Sequence, residues 1–546
     1  MISIINKCFR YCNTIRYLKL IQIFARIKFI FPRSKIAQNK KNKKNQLLSA
    51  WVKSPKPKQS MISLNTFEFL NETHEISKND WSSSKFSKLW LYNLHYFDDL
   101  NSTGSEKRVE WHKSYINSWI KQNHPFQGIG WEPYPSSLRI VNWIKWSINE
   151  NILKDDWMLS LEIQARFLFK NIEYHLLGNH IFANAKALMF AGLFFHGKEA
   201  NIWYEKGRKL LEKELKEQVL LDGGNFELST MYHSIFLEDI LDLVNIHQVY
   251  NQDIPQGLKE KIPLMLEWFQ AMIHPDGEIS FFNDASFGIA PTFDELKKYA
   301  LRLNFKKFNS NKRRLTVLNN SGYSRVEFDD LVAIIDRSLV GPDYLPAHAH
   351  ADTLSFELSL YSQRLIVNSG TSVYGDSKER HRQRGTHSHS TVMLDSENSS
   401  EIWSGFRVAK RAKILKSFEM DDRNKITLSA SHNGYHRLKG KPTHFRQWEF
   451  TKGLLRIDDL ITGNGIHSAD VIFPLHPLVN IINTKVNEVL LDINNKKISI
   501  NFEGNGDLRI KKSTFHPEFG LSVNNLKIHY QLTKALPIKI ITRITW

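Results

Sequence analysis

The sequence predicts a multidomain α+β protein in which a helical domain precedes an antiparallel β-sandwich. Three observations predict it. A chain of 546 residues is too long for one hydrophobic core. From Trp81 to about Leu303, apolar residues recur at three- and four-residue steps, as in Ile140, Trp143, Ile144 and Ile148, the period of a helix with one buried face. From Ser321 onward the pattern shortens to β runs, with turn signals such as Asn433-Gly434 and Asn464-Gly465 between them. The chain is divided accordingly into a basic segment and linker (1–60), a helical domain (61–315) and a β-sandwich domain (316–546). A cleft between two such domains is a common ligand site.

The first segment carries most of the charge. Residues 1–60 hold fifteen Lys and Arg and no Asp or Glu, so only +3 of the formal +18 belongs to the other 486 residues. A nearly neutral body excludes global nucleic-acid binding. Ile15 to Phe31 alternates apolar clusters with Arg16, Lys19, Arg26 and Lys28. That run is too interrupted to span a membrane and lacks the clean apolar core and small-residue cleavage site of a secretory signal. Two readings stand for residues 1–35: an amphipathic basic helix in peripheral contact with an anionic membrane, or a solvated basic helix packed on the body. Lys40 to Lys58, with Pro55 and Pro57, reads as a linker. The only cysteines, Cys8 and Cys12, exclude a disulfide framework and leave the compartment open.

Helices are expected over Trp111–Lys121, Ser136–Asn149, Trp157–His175, Ala183–Phe195 and Trp203–Val219. Gly178-Asn179-His180-Ile181-Phe182-Ala183-Asn184 precedes an alanine-rich helix. Asn179 there serves either as an N-cap or, with His180 and Asn184, as part of a polar site. In Asp222-Gly-Gly-Asn225-Phe-Glu227-Leu-Ser229-Thr230-Met-Tyr232-His233 the glycines make a turn. Ser229 or Thr230 can cap the helix that follows, which puts Tyr232 in its first turn, near the positive end of the dipole. A core tyrosine is the plainer reading of Tyr232.

Expected β runs include 332–335, 354–360, 365–367, 391–394, 426–429, 454–461 and 471–473. The second run is preceded by Pro346-Ala-His348-Ala-His350-Ala-Asp352-Thr-Leu354. If the strand extends back that far, His348, His350 and Asp352 share one face at about 7 Å spacing. Polar groups aligned with a core face need partners, which favours a site over an exposed loop. Further on, Asn368-Ser-Gly-Thr-Ser-Val-Tyr374 is followed by Arg380, Arg382, Arg384, His387 and His389. Arginines clustered beside histidines suit an anionic ligand such as a uronate or sulfate, or form a solvated face.

These stretches stand together in an order that resembles the heparinase II/III-like polysaccharide lyases, over roughly residues 80–540. The resemblance is carried by Asn179-His180, Asp222-Gly-Gly with Glu227 and Tyr232-His233, and Phe282-Asn283-Asp284. His348-Ala-His350-Ala-Asp352, Asn368-Ser-Gly-Thr and His389-Ser-Thr-Val complete it. Trp90 to Phe97 and Trp131-Glu-Pro-Tyr134-Pro resemble the versions found beside bacterial surface-polysaccharide genes. The resemblance implies an incomplete (α/α) toroid followed by a β-sandwich. It implies β-elimination on an acidic, uronate-containing polysaccharide: Asn179 or His180 neutralises the carboxylate, Tyr232 serves as base, acid or both, and His348 partners it. A tyrosine base needs a lowered pKa, expected here from nearby Arg or His⁺. Glu227, Asn184, Tyr374, Arg380 and Arg384 are the expected substrate contacts. His350, Asn368 and His389 match positions that hold a divalent metal (Zn or Ca) in some relatives, although those relatives carry Asp where Asn368 stands, and Asn is the poorer ligand. The resemblance points to the periplasm; without a visible signal, the cytoplasm and the inner membrane are the alternatives. Two rival functions remain: a glycoside hydrolase pairing Glu227 with Asp284 or Asp352, and a non-catalytic glycan-binding protein of surface-polysaccharide assembly.

Overall fold

The computed structural model describes residues 2–28, 42–78, 80–306, 313–328 and 330–546. Helices come first and antiparallel sheets second, as the periodicities require. Two amphipathic helices, α1 (Ile2–Ile15) and α2 (Leu20–Lys28), precede the helical domain. That domain contains α3 (Lys88–Tyr96), α4 (Val109–Gln122), α5 (Pro133–Glu150), α6 (Asp155–Lys170), α7 (Gly178–Phe194), α8 (Lys198–Gln218), α9 (Thr230–Val249), α10 (Gln256–Ala271) and α11 (Phe293–Arg302). Helix α7 is the central element and packs on α5, α6, α8 and α9. Every residue from Ile181 to Phe194 is buried, which is why its sequence, Asn184 and Lys186 apart, is apolar all round. Among the described residues, no helix is long and apolar enough to cross a membrane.

Three antiparallel sheets of five, eight and four strands build the second domain. In the eight-stranded sheet, Thr443–Thr451 alternates buried and half-buried residues and pairs with Leu454–Thr462 in a register that sets Arg446 opposite Asp459. The two inner faces close a core around Phe356, Trp448, Ile457, Phe473 and Ile500. The helical core also takes in Val332, Ile334, Val367, Phe515 and Phe519 from the sheet domain, so the domains share an apolar seam. The cleft residues are anchored on both sides of that seam.

Three expectations on local structure are corrected. Lys40–Lys58 is no free linker where it is described. Asn45 donates to the carbonyls of Leu193 and Phe195 (2.8 and 3.0 Å), and Asn245 clamps Val52 through both its N–H (3.1 Å) and its carbonyl (2.8 Å). Backbone hydrogen bonds to the helical domain hold such a segment extended against it. The helix expected over Trp157–His175 stops at Lys170, leaving residues 171–177 as a loop. The strand expected to reach back to His348 begins at Phe356, because Leu354 adopts a left-handed φ of 62° and Ser355 closes a turn onto Asp352.

Candidate active site

The site is assembled where the starts of α7 and α9 meet two loops of the sheet domain. Leu177 (φ 68°) and Gly178 (φ 56°) turn the chain sharply into α7. With its φ of 56°, and a Cβ that would lie 2.3 Å from the Leu345 methyl, Gly178 is the residue that fits there without strain. Helix α7 therefore starts five residues earlier than its apolar run suggests, and Asn179 lies in the first turn rather than at the cap. His180 donates to the Glu173 carboxylate (Nδ1 to Oε1, 3.1 Å) and lies 4.4 Å from the Tyr134 ring. Asn184 is fully buried. Its carbonyl accepts from the Glu173 backbone N–H (2.8 Å), and its amide donates to Glu173 Oε2 and Ser137 Oγ (both 3.0 Å). Asn184 thus braces the carboxylate that orients His180 and is withdrawn from substrate contact, contrary to expectation.

Helix α9 opens as its sequence predicts. Ser229 caps it by accepting from the Tyr232 N–H (3.1 Å), an interaction worth about 1 kcal/mol. The same hydroxyl donates to the Asp284 carbonyl (2.5 Å), tying the first turn to the loop that carries Asp284. Tyr232 stacks obliquely on His348, ring centroids 3.9 Å apart, and its hydroxyl is 2.9 Å from that of Tyr374. Burial pushes the Tyr232 phenol well above its ordinary range, with Tyr374 and Asp284 adding to the effect. The lowered phenol expected from neighbouring cations is therefore not found. The reason is geometric: Arg380 spends its charge on a carboxylate.

That carboxylate is Asp284, the hub of the site. Its Oδ2 accepts from His348 Nδ1 (2.9 Å) and Arg380 Nη2 (2.7 Å). Its Oδ1 accepts from His350 Nε2 (2.9 Å), Thr371 Oγ1 (3.3 Å) and Arg380 Nη1. Burial opposes ionisation of Asp284, but Arg380 and the two histidines outweigh it and hold the carboxyl well below the usual range. An ionised carboxylate only accepts, so the His348 proton resides on Nδ1 and Nε2 faces Glu227 Oε2 at 3.4 Å. Glu227 is buried, which pushes its carboxyl up; His348 and the Asn179 N–H partly offset this.

The arginines do not form an anion pocket. Arg380 is fully buried in its two-pronged pair with Asp284. Arg384, also fully buried, donates to the carbonyls of Ala349 (3.0 Å), Ser404 (3.0 Å) and Arg407 (3.4 Å). Both were expected as substrate contacts and instead hold the loops that carry His348 and Tyr374. Tyr374 remains partly open to the cleft.

The three residues expected at a metal are brought together in a modified form. Asn368 Oδ1 accepts from His389 Nδ1 (3.0 Å), which places Asn368 behind His389 instead of beside an ion. His350 Nδ1 and His389 Nε2 are buried without a hydrogen-bond partner, their rings 5.2 Å apart. A carboxylate oxygen of Asp352 completes a buried His350–Asp352–His389 set with ligand atoms within 4.8 Å of one another. Two free imidazole nitrogens and a carboxylate fit a divalent cation, and Asp352 takes the place expected of residue 368.

Reading the sequence missed Tyr134 and Glu173 and weighed Asp284 only as one of a hydrolytic pair. Tyr134 had a signal: Pro133 at the first position of a helix puts Tyr134 in its first turn, beside the polar start of α7. Glu173 had none, being placed by a loop.

Comparison with known proteins follows the same line. Residues 28–309 match the model for the heparinase II/III N-terminus, and residues 310–542 match that for the heparinase II/III-like C-terminal domain. A heparin-sulfate lyase of Bacteroides stercoris is 27% identical over 350 residues, covering 54% of this chain and 51% of that protein. One from Bacteroides thetaiotaomicron is 22% identical over 466 residues, covering 74% and 63%. The chain thus matches only about half the length of the first of these relatives. A crystal structure of heparinase III superposes with a TM-score of 0.71 at 19% identity, covering 86% of this chain and 79% of that one. The fold is thus that of these structures: a helical part followed by an antiparallel sheet domain.

Proposed function

The chain belongs to the heparinase II/III-like family, and we propose that it is a polysaccharide lyase cleaving a uronate-containing, glycosaminoglycan-like polymer by β-elimination. The observation that carries this reading is the chain of contacts Asp284–His348–Tyr232–Tyr374 facing Asn179 and His180. Elimination must remove the C5 proton, break the C4–O bond, and protonate the departing oxygen. The C5 proton is acidic only if its neighbouring carboxylate is neutralised. Asn179 and His180 supply donors for that carboxylate, and Glu227, biased toward its protonated form, adds another. His348 Nε2, its lone pair fixed by the Nδ1–H bond to Asp284, takes the proton. Tyr232, kept protonated by burial, gives its own to the C4 oxygen and is replenished through Tyr374. Asp284 is saturated by Arg380, His348, His350 and Thr371, which counts against pairing it with Glu227 in a hydrolase; the pairing of Glu227 with Asp352 is left to the product test below.

The test is ultraviolet absorbance during incubation with a panel of acidic polysaccharides. A conjugated double bond should appear with wild type and be lost in Tyr232→Phe and His348→Ala. New reducing ends without absorbance would establish hydrolysis instead, and binding without either would leave a glycan-holding protein.

Two further parts of the reading concern the surroundings of the site. His350, Asp352 and His389 would hold a divalent cation, zinc being favoured over calcium by the two imidazoles. Such an ion would supply fixed positive charge that secures the wall behind Asp284. Its test is a zinc-dependent rise in Tm with one metal per chain, absent in His389→Ala. Residues 2–28 would contact an anionic membrane surface, because Leu20, Ile21, Phe24 and Ile27 form an exposed apolar stripe within a segment that has basic but no acidic residues. Vesicle flotation tests this: the chain should float with anionic but not neutral vesicles, and loss of residues 2–28 should abolish it. The rest of the segment expected at the membrane, residues 1 and 29–35, lies outside the described residues.

A further inference from the structure

Helices α1 and α2 do not hang free; they rest on both sides of the site. Gln22 is buried and donates to the carbonyls of Leu176 and Tyr344, both at 3.4 Å. Lys19 pairs with Glu217 and lies 3.8 Å over the Tyr344 ring. Leu176 stands just before Gly178-Asn179-His180, and Tyr344 lies in the loop that delivers His348. On the opposite side, α1 meets the hairpin formed by strands Ile402–Trp403 and Arg407–Val408. Arg10 bonds Glu401 (2.9 Å), Tyr11 packs edge-on to Trp403 (4.8 Å), and the Trp403 indole donates to Thr14 (3.1 Å). At the tip of that hairpin, Phe406 packs edge-on to Tyr374 (5.4 Å), the hydroxyl partner of Tyr232. The two helices therefore bridge the segments that hold the catalytic groups.

We propose that α1 and α2 form a strap closing one end of the cleft, and that an anionic lipid surface draws the strap off by taking up its apolar stripe. The opening partner rests on the membrane contact proposed above. Three observations support the competition. The inward contacts are each of modest kinds: exposed ion pairs, an edge-on aromatic pair, one indole hydrogen bond, cations over the Tyr344 and Tyr17 rings, and long amide bonds. The outward face is apolar, with Leu20 71%, Phe24 68% and Phe9 62% exposed. The first 60 residues carry fifteen cations and no anion, which suits an anionic lipid headgroup layer and no neutral one. Release would also free Tyr17, Leu18 and Ile23, half-buried while the strap is docked, so lipid gains apolar area from the released strap that the docked one withholds and shifts the equilibrium by that differential affinity.

The chain offers its own reporter, since its only cysteines, Cys8 and Cys12, are both exposed on α1. An environment-sensitive fluorophore on Cys12 of the full-length Cys8→Ser chain should change emission with vesicles containing phosphatidylserine and not with phosphatidylcholine alone. Trp403→Ala removes the aromatic dock and touches no catalytic group. It should bind the anionic vesicles at least about threefold more tightly, since the edge-on ring contact is lost together with the indole hydrogen bond to Thr14. Unchanged affinity in Trp403→Ala, or an equal response to neutral vesicles or to acidic polysaccharide alone, would overturn the proposal. With a cleaved substrate in hand, anionic vesicles and Trp403→Ala should each lower KM for long chains and leave short oligosaccharides unaffected; equal effects on both lengths would refute closure. Failure to find any cleaved substrate would count against the lyase reading only, because the fluorescence arms decide the strap without turnover.

Discussion

Replacing Asp284 by Asn is the most informative single change. The substitution keeps volume and removes one charge from a carboxylate that now receives five hydrogen bonds from His348, His350, Thr371 and both prongs of Arg380. Two effects follow and are separable. The Arg380 guanidinium, fully buried, loses its counter-charge, and breaking such a pair costs about 3–5 kcal/mol of stability. The Asn amide can also donate to His348 Nδ1, which moves the imidazole proton to Nε2 and removes the lone pair needed at C5. In serine proteases the corresponding Asp-to-Asn change lowers kcat about 10⁴-fold through the wrong tautomer, or about 5.5 kcal/mol of barrier. The assay is initial-rate absorbance at saturating polysaccharide, with urea unfolding of the same preparations. Because Asp284 stands behind His348, KM should change far less than kcat. A folded Asp284→Asn protein with kcat within about threefold of wild type would refute the role assigned to the Asp284–His348 pair.

Other expectations can be checked on the same preparations. Asn184→Ala leaves two Glu173 hydrogen bonds unmade in a buried place, so it should cost about 1–3 kcal/mol of stability and lower kcat through His180, with KM little changed. Arg384→Met removes donors to three loop carbonyls and should destabilise the chain by a similar amount without weakening glycan binding, as it would if Arg384 touched substrate. Stability should fall as pH drops below about 6.5 because His95 is held neutral. Its Nε2–H donates to the Trp81 carbonyl, its Nδ1 accepts from the Trp119 indole, and burial lowers its pKa to about 3. Between those two values the unfolded chain binds the extra proton, so stability rises with pH. The contribution is about 2 kcal/mol between pH 5 and 6.5, read from urea midpoints across pH and lost in His95→Gln.

The order of helices and sheets, the cap at Ser229 and the first-turn position of Tyr232 were legible in the sequence because each depends on neighbours within a few residues. Periodicity reports burial along one element, and a cap is a contact between residues three apart. The family resemblance likewise rested on short motifs in a fixed order. What each polar residue faces was not legible. Arg380 and Arg384 stand four apart beside histidines, as an anion pocket would, yet one is matched by Asp284, 96 positions earlier, and the other by backbone carbonyls. Asn184 looked like part of a polar cluster and turned out to brace a loop glutamate. At the candidate metal position, the sequence alone set Asn368 against the expected Asp, and only the tertiary structure set Asn368 against His389 and grouped Asp352 with His350 and His389. The sequence by itself determined the elements and the inventory of reactive groups, since both are encoded in local spacing. The tertiary structure alone decided which of those groups keep a free valence toward the cleft, because a buried charge or amide is satisfied by whatever the fold brings within about 3 Å of it, and those partners lie far away along the chain.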